Sequence, residues 1–211
     1  MIIGTGLIGG SVGMALRSLG WHVSGTDASP ATAARAVELG ALDVAGEDRG
    51  ADLVVVATPV HVAPGIIADV LTGGGWNPSA VVTDVGSVKG SLVAAVDRPR
   101  FVGGHPMAGS EQVGVEGASA ELFVGATWVL TPTTSTDPAA YAQVRGVLAD
   151  FGANVVALDP AEHDSLVAVV SHVPHLTAAT LMALASDLGE EHGALLQLAA
   201  GGFRDMTRIA A

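Results

Sequence analysis

The stretch IIGTGLIGGS, residues 2–11, decides the fold. Gly4, Gly6 and Gly9 stand in G-x-G-x-x-G spacing. The first glycine of such a run permits a tight turn. The second lets a pyrophosphate approach the backbone, and the third lets a new helix pack closely on the strand. The flanks agree with this reading. Ile2–Ile3 is a strand stub, Gly10–Leu19 has the pattern of a helix, and HVSGTD (22–27) reads as a second strand ending in an acid. Gly4, Gly6, Leu7, Ile8 and Gly9 are therefore the candidate cradle for a dinucleotide, with the amides of the helix start facing its phosphates. Asp27 falls about 20 residues on, where it can accept hydrogen bonds from an adenosine ribose. A blander reading has Asp27 capping the turn before Pro30. A carboxylate there repels a 2′-phosphate, and DASPAT (27–32) offers no arginine to reward one, which favours NAD over NADP.

Outward from this start, short apolar runs alternate with helical stretches. Strands are expected at Leu53–Ala57, Val81–Asp84, Phe101–Val102, Thr127–Thr131 and Val155–Leu158. Helices are expected at Pro30–Leu39, Ala63–Leu71, Lys89–Val96 and Ala139–Phe151. The pairs Ser29-Pro30, Asp137-Pro138 and Asp159-Pro160 each place a capping side chain before a proline suited to a first helical position. Thr58 and Pro59, closing LVVVATP (53–59), either lie under the cofactor at the carboxyl edge of the sheet or merely end a strand. After Asp159 the alternation gives way to helix, a break near Pro174, helix again to about Leu188, and a further piece from Glu190. The expectation is an α/β protein: a Rossmann-type, mainly parallel sheet domain over residues 1–158, then an all-helical domain over 159–211. Both ends read as cut, so the helical domain is expected to be incomplete.

Composition narrows the partners. Of 211 residues 49% are hydrophobic and 14% charged, and the net charge of −12 argues against nucleic acid or an anionic membrane surface. There is no cysteine, hence no disulfide or thiolate chemistry. No basic region precedes an apolar stretch at the N-terminus, so no secretory signal is readable and a cytoplasmic protein is expected. LVAVVSHVPHLTAATLMALAS (166–186) carries no Asp, Glu, Lys or Arg over a length that could span a bilayer. Its two histidines, its proline and its lack of a basic flank favour burial in a soluble core or an oligomer interface, and no membrane is expected.

Two segments hold chemistry-bearing side chains near the sheet's carboxyl edge. VVTDVGSVKGS (81–91) carries Ser87, a helix cap or a hydrogen-bond donor, and Lys89, the only lysine in the chain. A lone lysine on a helix's first turn is ordinarily solvated. FVGGHPMAGSE (101–111) packs three glycines and a proline around His105 and Glu111, a composition that excludes a regular helix or an uninterrupted strand. By itself it reads equally as a turn or as a holder of catalytic groups. His163, Asp164, His172 and His175 lie close in sequence but match no recognised zinc spacing, so no metal is expected.

Five motifs in order, GxGLIGGS (4–11), DxGSVK (84–89), GGHPMAGSExxG (103–114), HDxxxAxxSHxPH (163–175) and GGFRDxTRIA (201–210), closely resemble the prephenate and arogenate dehydrogenases of tyrosine biosynthesis. The resemblance implies an NAD-dependent oxidative decarboxylation of a cyclohexadienol, either prephenate or arogenate. It implies that His105 is the catalytic histidine at the ring hydroxyl, that Ser87 contacts the same region, and that Glu111 gates the site. It places His175 and Arg208 on the substrate side and has His172 shape the pocket. The acidic net charge is no objection, because steering depends on local potential and Lys89, Arg204 and Arg208 are expected to face one cleft. The resemblance also implies a homodimer through the C-terminal helices, with more helix to follow. The competing readings are a small hydroxy-acid dehydrogenase, for which a late lysine is missing, and a non-enzymatic nucleotide-binding protein.

Overall fold

Eight strands form one sheet: β1 (Ile2–Ile3), β2 (Ser24–Thr26), β3 (Val44–Ala45), β4 (Leu53–Val56), β5 (Val81–Asp84), β6 (Phe101–Pro106), β7 (Thr127–Thr131) and β8 (Asn154–Ala157). The computed structural model describes residues 1–191 and 194–208. The order across the sheet is β3-β2-β1-β4-β5-β6-β7-β8, and every neighbouring pair is parallel except β6 with β7. From β1 the chain winds outward first through β2 and β3, then returns to β4 on the other side. The strand order thus reverses between β1 and β4, where a doubly wound sheet opens its ligand crevice. This is the Rossmann-type arrangement expected.

Helices α1 (Leu7–Ser18), α2 (Pro30–Glu38), α3 (Ala63–Thr72), α4 (Gly90–Val96) and α5 (Pro138–Asp150) cover the two faces. A sheet so covered reads as continuous apolar strands, and β4 (LVVV) and β5 (VVTD) are buried throughout. One core layer joins Val12 and Leu16 of α1 to Val144 and Leu148 of α5 and the aromatic group of Phe123, Trp128 and Phe151. The other joins Val54 and Val56 to Ile67, Val70, Leu92 and Phe101. The helix starts use the expected caps: Ser29 accepts from the Thr32 N–H, and Asp137 from that of Ala139.

Three expectations are corrected. The edge strand β3, only two residues long, leaves no readable pattern and was not anticipated. The run FVGGHP, set down as unable to continue a strand, is a strand through Pro106 and buried at every position. It does so by changing partners: Phe101 and Val102 pair with β5, and Gly103 to Pro106 pair with β7. Gly104 fits because it lacks a side chain, since a Cβ there would come within 2.6 Å of the Asp84 carbonyl. Nor does the helix break at Pro174. A π-helical turn, Ala168–His172, joins α6 (Pro160–Val167) to α7 (Val173–Glu191), and Pro174 sits in the first turn of α7. There the ring displaces no hydrogen bond that α7 itself would make.

Compactness divides the chain into Met1–His163 and Asp164–Ala211. Within the second unit, α7 is followed by a short 3-10 turn, Leu196–Leu198, and α8 (Gly201–Thr207). The continuation of the last helix past Arg208 falls on residues outside those described. Leu181, Leu184, Ala185, Leu188 and Phe203 line an apolar groove. The helical run Pro160–Leu188 is long and apolar enough to cross a membrane by length and composition. The expected burial is not met inside the chain: Val169, Val170 and Leu176 are each about two-thirds exposed.

Candidate active site

The glycine loop between β1 and α1 has the geometry its spacing promises. Gly4 adopts φ +94°, and a Cβ there would strike the Ala57 carbonyl at 2.5 Å. A Cβ on Gly9 would collide with the Gly4 carbonyl, so the helix can begin this close to the strand only with glycine at that position. Gly6, by contrast, faces open space and is the N-cap of α1, with no side chain capping it. The first N–H groups of a helix have no partner within it, so the start of α1, at Gly6, Leu7 and Ile8, can accept an anion. Asp27 borders the loop. Its Oδ2 accepts from the Thr5 N–H at 2.8 Å and its Oδ1 from the Ser29 N–H at 3.0 Å. Asp27 thus caps its own turn, as the blander reading had it, and also ties that turn to the glycine loop. Thr58 packs beside Gly4, with its buried hydroxyl unpartnered, and Pro59 follows it exposed at the sheet edge. An open glycine, an uncapped helix start and a bordering carboxylate suit a dinucleotide with a free ribose diol.

A second cluster lies where β5 and β6 end. His105 is buried on β6, and its Nδ1 lies 2.8 Å from Nε2 of His163, which is fully buried on α6. The rings meet edge to face with centroids 5.1 Å apart. One nitrogen of that pair must donate and the other accept. A His105 that takes a proton at Nε2 carries its resting proton on Nδ1, with His163 Nε2 as the acceptor. The contact then fixes both the tautomer and the ring plane. Pro160 and the Asp159 cap, whose Oδ1 accepts from the Ala161 and Glu162 N–H groups, set the start of the helix that delivers His163. Sequence reading weighed His163 only as a metal ligand and missed this role. The histidine opening HDxxxAxxSHxPH was the available signal. Among the described residues no group of three or more His, Cys, Asp or Glu side chains is placed to hold a metal ion.

Lys89 is corrected. It does not face a cleft: its side chain is 0% exposed and forms an ion pair with Asp84, itself 1% exposed. Burial pushes the Asp84 carboxyl above its usual range, and the Lys89 ammonium and the Gly104 and Gly86 N–H groups oppose the rise. Ser87 is exposed on the turn between β5 and α4, and Glu111 is exposed in the loop after β6. In the second unit His172, His175 and Arg208 are all exposed, and His175 Nδ1 lies 3.3 Å from the Ser171 carbonyl oxygen.

Comparison with known proteins agrees with this geometry. Residues 12–157 match the family model for the nucleotide-binding domain of prephenate dehydrogenase, and residues 159–211 match the model for its dimerization domain. The chain belongs to the prephenate dehydrogenase family. It is 37% identical to prephenate dehydrogenase of Bacillus subtilis, over 100% of this chain and 60% of that protein. Among solved structures of the family, the Aquifex aeolicus prephenate dehydrogenase in complex with hydroxyphenyl propionate and NAD+ superposes with a TM-score of 0.90. It is 36% identical, over 99% of this chain and 76% of that one. Synechocystis arogenate dehydrogenase gives a TM-score of 0.82 and 34% identity, over 100% and 78% of the two chains. The chain spans 60% of the length of the Bacillus relative.

Proposed function

We propose that this protein catalyses the NAD-dependent oxidative decarboxylation of prephenate to 4-hydroxyphenylpyruvate. The observation that carries the reading is a buried histidine, His105, with its Nδ1 2.8 Å from His163 Nε2, at the same sheet edge as an uncapped, glycine-lined helix start. NAD, when bound, supplies the hydride acceptor. The balance is simple: a hydride leaves the ring carbon that bears the hydroxyl, the hydroxyl proton passes to His105, the ring carboxylate departs as carbon dioxide leaving its bonding electrons to the ring, and the proton returns to the phenolate oxygen. The ring becomes aromatic, which drives the reaction.

The residues of this chain then have distinct tasks. Gly4, Gly6, Leu7, Ile8 and Gly9 receive the pyrophosphate, Asp27 the adenosine ribose, and Thr58 and Pro59 border the cofactor. His105 takes the hydroxyl proton at Nε2 while its Nδ1 proton is held by His163. Ser87 contacts the same hydroxyl. Glu111, His172, His175 and Arg208 serve the substrate side, where a guanidinium fork suits a carboxylate. In this reading residues 1–158 bind NAD and residues 159–211 begin the helical domain, whose exposed apolar side chains face a second copy of the chain. A soluble, cytoplasmic homodimer goes with it.

The likeness to an arogenate dehydrogenase supports a second reading on the same scaffold, with an amine in place of the side-chain keto group. The hydroxy-acid alternative loses ground, because the single lysine is buried against Asp84. NADH production by the full-length protein, with prephenate and arogenate offered separately and NAD or NADP as acceptor, tests the reading. Turnover of prephenate with NAD is expected; turnover of neither substrate sinks it.

A further inference from the structure

Asp84 ends β5, and its two carboxylate oxygens reach two different segments. Oδ1 accepts from the Gly104 N–H at 3.0 Å, and Oδ2 accepts from the Gly86 N–H at 2.8 Å. Gly104 immediately precedes His105, and Gly86 immediately precedes Ser87. The Lys89 ammonium donates to Oδ2, and neither side chain reaches solvent.

The geometry explains why a side chain is used here. The parallel pairing of β5 with β6 ends at Thr83 and Val102, where β6 turns to β7. Past that point the register between the two strands ends, and the Asp84 carboxylate accepts the Gly104 amide. Stability alone does not call for an ion pair at this position. Replacing a buried pair by apolar side chains of similar volume is often neutral or stabilising. What an apolar pair cannot do is accept two amides from two segments at once.

We propose that Asp84 is a positioning residue, with Lys89 as its counter-ion, and that it fixes the Ser87 turn and the His105 strand relative to each other. This rests on the assignment of Ser87 and His105 to the reacting hydroxyl. Neither Asp84 nor Lys89 touches substrate; both act through the amides of Gly86 and Gly104.

The test uses the full-length protein and the double variant Asp84→Asn, Lys89→Met, which removes both buried charges at similar volume. Nitrogen–proton NMR should show the amides of Gly86, Ser87, Gly104 and His105 displaced while those of β1 and β4 stay in place. Affinity for NAD should be unchanged, and kcat with prephenate should fall about 10- to 100-fold with little change in KM. Amides at wild-type positions, or wild-type kcat from the folded double variant, overturn the proposal. If the double variant does not fold, Asp84→Glu keeps the charge pair and moves both oxygens by one methylene. The same amide shifts and the same loss of kcat are expected of it, and their absence overturns the proposal equally. A wild-type protein that turns over neither prephenate nor arogenate counts against the reaction assigned, while the amide shifts still decide the role of Asp84.

Discussion

His105 and His163 are 58 positions apart in the chain, yet Nδ1 of one lies 2.8 Å from Nε2 of the other in a fully buried contact. The pair links the carboxyl end of β6 to the first turn of α6. An imidazole in the place more often given to a carboxylate orients its partner without adding a negative charge, which suits the anionic substrate proposed.

His163→Leu is expected to lower kcat by about 10- to 100-fold while NAD affinity stays unchanged, because the base loses its fixed tautomer but not its identity. His163→Gln should recover part of that loss, since the amide oxygen can accept the His105 proton. Steady-state kinetics beside a cofactor titration checks both. Equal activity of the Leu and Gln variants would reduce His163 to a packing role.

His105→Asn is expected to cut kcat by about 100-fold or more with the fold and NAD binding retained. The side chain sits on a fully buried strand, so circular dichroism and a melting curve must accompany the kinetics. Unchanged turnover removes His105 from the mechanism.

Asp27→Ala removes the acceptor of the Thr5 and Ser29 amides and, on the proposed reading, the acceptor for the adenosine ribose. It should weaken NAD binding, narrow the preference over NADP, and cost about 1 kcal/mol of stability through the lost hydrogen bonds. Fluorescence titration with each nucleotide and urea unfolding read the two effects separately.

Asp43 governs part of the acid stability. It accepts from the Val23 N–H and from Arg17, and these bonds hold its carboxyl below the usual range, the Val23 bond most. A depressed folded-state pKa stabilises the fold at every pH above the unfolded value of about 3.9, and the benefit is lost as pH falls through the folded value. Asp43→Asn should therefore melt lower than wild type at neutral pH, and the two curves should converge as pH falls through the lowered folded-state value. A gap that persists at the acid end would assign the stabilisation to something other than the ionised carboxylate.

Leu176→Asp, on the exposed apolar stretch of the second unit, should convert a dimer of the full-length protein to monomer, read by light scattering after gel filtration. A variant that stays dimeric would place the interface elsewhere.

Much of the fold was legible because its signals are local. The glycine run, the acid that follows it, the Ser-Pro and Asp-Pro caps and the buried β4 and β5 each depend on a few adjacent residues. What was missed depends on residues brought together from a distance. Gly103, Gly104 and Pro106 read as breakers because a strand that changes partner midway can tolerate them and an ordinary strand cannot. Lys89 read as solvated because charged side chains are almost never fully buried unless paired. Its partner lies five residues back across a turn, and no periodic pattern reports such a pair. His163 stood in plain view within a motif, but its target lies 58 positions back on β6.

Because the His105 stretch of β6 is paired with β7 and tied to the end of β5 through the Asp84 carboxylate, that backbone cannot open without breaking the ladder between β6 and β7. Hydrogen exchange of the His105 amide should thus track global unfolding, while the exposed loop from Gly109 to Val113 exchanges freely. On the proposed mechanism, the group that moves the proton would be the stationary member of the site, and any adjustment to an arriving ring would fall to the segments around it.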